Sequence, residues 1–145
     1  MSSRRKAREF ALQLLFQQDV THYSVEETGR EFWKSNPADD ATRVFSEFLF
    51  TQAEANRELI DSLIVKHALN WRLDRMAKVD RTILRMSVAE FLYADTPKIV
   101  VIDEAIEIAR KYSGDDSTEF VNGILDAVRA ELEGDRPAET SEQQA

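Results

Sequence analysis

Apolar residues recur along this chain at intervals of three and four, and no alternation of period two runs far between turn signals, so the pattern predicts helices throughout. Ala7, Phe10, Ala11, Leu14, Leu15 and Gln18 share one helical face, while Arg4, Arg5 and Arg8 project from the same segment's first turns. Ser24 is placed to cap a short helix through about Lys34, with Glu27 three residues on as in a capping box. Ser35-Asn36-Pro37 ends it. From about Asp39 to Leu69, Val44, Phe48, Leu59, Leu63 and Ile64, with Phe45, Leu49 and Ile60 beside them, predict one long helix. A helical turn is expected around Leu73 to Lys78. Next comes a helix capped by Asp80 that buries Ile83, Leu84, Val88, Phe91 and Leu92 and stops at Thr96-Pro97. Val101, Ala105, Ile108 and Tyr112 mark another helix, ended by Ser113-Gly114. The last opens at Asp116, with Glu119 at the reciprocal capping position, and buries Phe120, Val121, Ile124, Leu125 and Val128. The fold class is therefore all-α, with about seven helices.

Only four glycines and three prolines punctuate the 145 residues, and no linker or fixed-period repeat interrupts residues 3 to 132. Residues 1–133 read as one helical domain. Residues 134–145 carry no large apolar side chain, so nothing repays the entropy of ordering them, and they are expected to form a disordered acidic tail. The opening MSSRRKAREF lacks the apolar stretch of a signal peptide, and no later run nears the roughly 20 apolar residues that span a bilayer. A cytoplasmic protein is expected, with no membrane contact.

Charge changes the picture. The net charge is -8, yet residues 1–8 hold Arg4, Arg5, Lys6 and Arg8 and no acid. An acidic body with one basic end suits a protein that meets phosphate at a single place, where counterion release rewards clustered cations. A solvated charge run is the plainer reading of the same residues. In EFVNG, Phe120 and Asn122 cannot both face the core at their spacing. Either a ring or an amide is left for unpaired bases, or Phe120 is core and Asn122 bonds its own backbone.

Catalytic chemistry finds little to stand on. Cysteine is absent, which removes thiolate zinc sites, cysteine nucleophiles and disulfides. His22 and His67 stand far apart without a metal-spaced partner. The acidic doublets Asp39-Asp40 and Asp115-Asp116 both precede helices, where a carboxylate meets the helix dipole. No phosphate-binding glycine loop, G-x-S-x-G or H-E-x-x-H occurs. The expectation is no enzyme, no cofactor and no metal.

Four segments, SRRKAREFALQLLFQ, VDRTILRMSVAEFLY, IDEAIEIARKYS and DSTEFVNGILD, in this order and spacing closely resemble the NusB family over residues 3 to 128. That resemblance implies two packed helical subdomains, the first three helices in one and the rest in the other. It implies a transcription antitermination factor that binds single-stranded boxA RNA together with NusE, the ribosomal protein S-ten. Other antitermination factors and RNA polymerase would be met indirectly. By position, the family's basic start puts Arg4, Arg5, Lys6 and Arg8 along the RNA path, with Phe120 and Asn122 beside it. Asp116 and Glu90 would face NusE. Glu119 stands where many relatives are basic, which weakens or redirects RNA contact from that turn, and Asp103 replaces an asparagine of some relatives. Two other readings compete: a helical protein-interaction module without RNA, such as a homodimer through its first helix, and an RNA-modifying enzyme, since a similar domain precedes the catalytic part of some ribosomal RNA methyltransferases.

Overall fold

The computed structural model describes residues 3–69 and 72–134, and these form seven α-helices and one 3-10 turn. In chain order the helices are α1 (Ser3–Thr21), α2 (Val25–Ser35), α3 (Asp40–Ala55), α4 (Arg57–His67), α5 (Lys78–Tyr93), α6 (Lys98–Tyr112) and α7 (Asp115–Leu132). The 3-10 turn, Leu73–Arg75, lies between α4 and α5. The expected tail falls outside the described residues, apart from Gly134.

Helix α5 organises the rest. From Asp80 to Phe91 every residue except Arg81 is buried, because α5 packs against α1, α3, α4, α6 and α7 at once. A helix enclosed on all sides can hold polar groups only if each has a partner. Arg85 donates to both oxygens of Asp61, at 2.7 and 3.0 Å. Thr82 returns its hydroxyl to Lys78 O at 2.7 Å. Around this helix, α1 and α3 make the closest pairing on one side and α6 and α7 on the other, with α2 held on α1 by edge-to-face packing of Phe10, Phe32 and Trp33.

The Ser24 capping box forms as expected, with Glu27 N donating to Ser24 Oγ and Ser24 N to Glu27 Oε1, both at 3.1 Å. Asp39 caps α3 through Thr42 N at 2.8 Å. Three expectations need correction. The segment from Asp39 to Leu69 is two helices, because Asn56 leaves helical geometry (φ -118°, ψ 31°) and bonds back to Gln52 O through both its backbone and side-chain nitrogen. The restart at Arg57 shifts the phase of the stripe. Leu59 consequently stands in solvent at 51% exposure, as does Val44 on the outer side of α3 at 67%, and the buried positions are Phe45, Leu49, Ile60, Leu63 and Ile64. Asp80 does not cap α5; it is buried and accepts from Ser113 Oγ at 2.7 Å and Ser117 Oγ at 3.0 Å, pinning the α6–α7 corner. Neither Asp116 nor Glu119 caps α7, whose N-cap is Gly114. Gly114 sits at φ 117°, a region that L side chains rarely adopt, and its N–H closes α6 on Ala109 O at 2.9 Å. Among the described residues no helix is long and apolar enough to cross a membrane.

Candidate nucleic-acid interface

The first turns of α1 carry the basic block, and helical geometry sends its members to different environments. Arg4, Arg5 and Lys6 are exposed. The Arg4 guanidinium lies 3.8 Å from the centre of the Phe45 ring, and Lys6 Nζ lies 4.9 Å from that of Phe10. Both cations thus rest on aromatic faces. Arg5 forks onto α6: its Nε and Nη2 donate to Glu104 Oε1 and Oε2, each at 2.9 Å. That pairing raises the Arg5 pKa and holds the Glu104 carboxyl below the ordinary glutamate value. The hydrogen bond is the first cause for both groups, and partial burial of Glu104 works against it.

Arg8 differs, and here two sequence expectations are corrected. Its side chain and that of Glu90 are 6% and 1% exposed, and they meet in a fork of 2.9 and 2.7 Å between α1 and α5. A helical residue four on from Arg4 points where Ala7 and Ala11 point, into the α5 seam. The Arg8 and Glu90 side chains are therefore enclosed with each other and not presented at the surface. Each neutralises the other in the interior, where an unpaired charge is very costly. Next along α1, buried Glu9 accepts from Lys111 Nζ at 3.0 Å and Tyr112 Oη at 3.2 Å. The α1 to α6 seam is thus laced by ion pairs from Arg5 to Lys111.

The second group of expected residues lies at the start of α7. Phe120 is half-buried and, with Lys66, His67, Leu69 and Gly123, lines a groove of about 470 Å³ between α4 and α7. Asn122 is exposed on the same helix, and Asp116 is exposed in its first turn. At the groove, Glu131 accepts from Lys66 Nζ at 3.1 Å and lies 2.6 Å from His67 Nε2, contacts that hold its carboxyl below the usual range, the one to His67 first. Leu69 closes the rim at 89% exposure with φ 56°, a backbone region uncommon for any residue but glycine. Lys66 and Leu69 escaped the sequence reading, and His67 was weighed there only as a metal ligand, because nothing in their spacing marks them as one site. Only the return of α7 beside α4 brings them to Phe120.

The start of α7 and the first turns of α1 are tied to different ends of α5. Helix α5 anchors α7 through Asp80 to Ser117 and α1 through Glu90 to Arg8, and these anchors are separated by about 15 Å of helix at 1.5 Å per residue. A third feature passed unnoticed in the sequence: an apolar hollow of about 320 Å³ between α1, the first turn of α5 and the end of α6, walled by Leu12, Phe16, Val79 and Tyr112. Among the described residues no group of three His, Cys, Asp or Glu side chains is arranged to hold a metal.

Comparison with known proteins agrees with this architecture along almost its whole length. The model of the NusB family matches residues 5–130. A transcription antitermination protein NusB of Koribacter versatilis is 48% identical over 136 residues, covering 92% of this chain and 93% of that one. One from Anaeromyxobacter dehalogenans is 46% identical over 134 residues, 91% and 94% of the two chains. Among solved structures, NusB of T. maritima superposes with a TM-score of 0.81 at 35% identity, covering 88% of this chain and 91% of that one. The antitermination factors NusB and NusE in complex with double-stranded RNA give a TM-score of 0.82 at 28% identity, covering 90% and 98%. Seven helices around a buried α5, a basic opening turn and a match from residue 5 to residue 130 together establish that the chain belongs to the NusB family.

Proposed function

We propose that this protein is a transcription antitermination factor that binds boxA-bearing RNA together with NusE in the cytoplasm, acting as an adaptor without catalysis. The observation that carries the reading is the near full-length likeness to a NusB seen with both NusE and RNA, joined to near half identity with antitermination proteins. Within the chain, Arg4, Arg5 and Lys6 are the exposed cations that hold phosphates. Phe120 and Asn122 meet bases at the α7 groove, so that an RNA strand runs from one end of α5 towards the other. Asp116 lies on the NusE side, four residues on from Tyr112 of the apolar hollow, which offers a protein partner an apolar anchor beside an exposed carboxylate.

The test is fluorescence anisotropy of labelled boxA RNA, single- and double-stranded, with and without NusE. Three neutralised phosphates give a slope of about -2 in log affinity against log salt for a single strand, at about -0.7 per phosphate. NusE should tighten binding, and Phe120→Ala should weaken it without changing that slope. RNA binding indifferent to both salt and NusE overturns the reading.

A further inference from the structure

The cation best placed to grip a phosphate, Arg5, is already gripped. Glu104 occupies the Nε and Nη2 edge of its guanidinium with two 2.9 Å hydrogen bonds, the same planar fork that a phosphate uses. The pair is half open to solvent: the Arg5 side chain is 48% exposed, Glu104 only 18%. An incoming oxyanion therefore reaches Arg5 from outside, while the carboxylate sits on the protein side.

Behind Glu104 stands a second receiver. Arg8 spends its Nε and Nη2 on Glu90, and its remaining terminal nitrogen, Nη1, lies 3.8 Å from Glu104 Oε1. That is an ion-pair distance still too long for a hydrogen bond. A carboxylate released by Arg5 is not left unpaired, because a small rotation brings it onto Arg8. The chain Glu90, Arg8, Glu104, Arg5 alternates in sign and is neutral as a whole. Moving its outer link costs one exposed pair rather than a buried one.

We infer that Glu104 is a built-in competitor for the RNA phosphate at Arg5, displaced onto Arg8 when RNA binds and closing on Arg5 when RNA leaves. The inference rests on the reading that Arg5 holds RNA, and it adds how that contact is regulated. Its consequence is selectivity for an extended strand. An isolated phosphate must displace Glu104 with nothing in return, whereas a polynucleotide that also engages Arg4 and Lys6 offsets the exchange through neighbouring contacts. The acidic residue thereby keeps the basic turn from holding stray anions in a protein of net charge -8.

The experiment compares RNA affinity for the full chain and for Arg5→Gln, Glu104→Gln, Glu107→Gln and the Arg5→Gln/Glu104→Gln double variant. Glu107, on α6 with Glu104, lies near Arg5 but pairs with Arg110 at 3.0 Å, so its variant reports the general effect of deleting a nearby negative charge. Exposed ion pairs are weak, so Glu104→Gln should tighten RNA binding only about 2- to 5-fold. Glu107→Gln should tighten it less, and the gain should vanish in the Arg5→Gln background. Equal gains from Glu104→Gln and Glu107→Gln, a gain that survives loss of Arg5, or weaker binding by Glu104→Gln each overturn the competitor role while leaving RNA binding by Arg5 intact. Unchanged affinity in Arg5→Gln alone removes the reading beneath it as well.

Discussion

Replacing Arg8 by methionine separates a structural arginine from an RNA-binding one. The substitution keeps most of the aliphatic volume in the α1–α5 seam and deletes the charge that neutralises Glu90, a carboxylate that is 1% exposed. Breaking a buried pair from one side costs about 3–5 kcal/mol. At roughly 2–4 °C per kcal/mol for a chain of this size, the melting temperature should fall by about 6–20 °C. Thermal denaturation followed by circular dichroism reads this directly. Arg8→Met combined with Glu90→Leu should recover most of the loss, since two apolar groups of similar size leave nothing unpaired. A melting temperature within about 2 °C of the parent for Arg8→Met, coupled to a several-fold loss of RNA affinity, would refute the assignment of Arg8 to the interior.

Two further outcomes are expected. Asp80→Asn removes the charged acceptor shared by Ser113 and Ser117 and should lower stability by about 1.5–3 kcal/mol, read as a lower urea midpoint with an unchanged slope; faster amide exchange should be confined to the first turn of α7. The Glu104 carboxyl is held below its unfolded value by Arg5, so its stabilising effect is complete above the unfolded pKa of about 4.3 and is lost as pH falls through the lower folded value. The melting curves of the parent and Glu104→Gln should therefore differ by a constant amount from pH 7 to 5 and converge below about pH 4; a gap that closes between pH 7 and 6 would contradict the pairing.

The buried helices were legible wherever an uninterrupted stripe met a turn signal. The Ser24 box, the Asp39 cap and the Ser113-Gly114 stop each act within four residues, so they were visible in the chain. Asn56 was missed because a polar residue inside an apolar stripe does not announce a break; the break follows from its side-chain return to Gln52 O and from the packing of α4 on α5 and α7. Asp80 was misread for the opposite reason. Its position suits a cap, and the two serines that claim it are more than thirty residues away.

The same division runs through the site. Periodicity, composition and four ordered segments sufficed for an all-α chain with a basic opening turn and a NusB resemblance, because hydrophobic period and charge clustering are local properties. Which cations remain at the surface is not local: Arg4, Arg5, Lys6 and Arg8 are alike in sequence, yet one is enclosed with Glu90 and another is held by Glu104, nearly a hundred residues on. Tertiary packing decided this, because the cost of a buried charge depends on what the other helices bring to meet it.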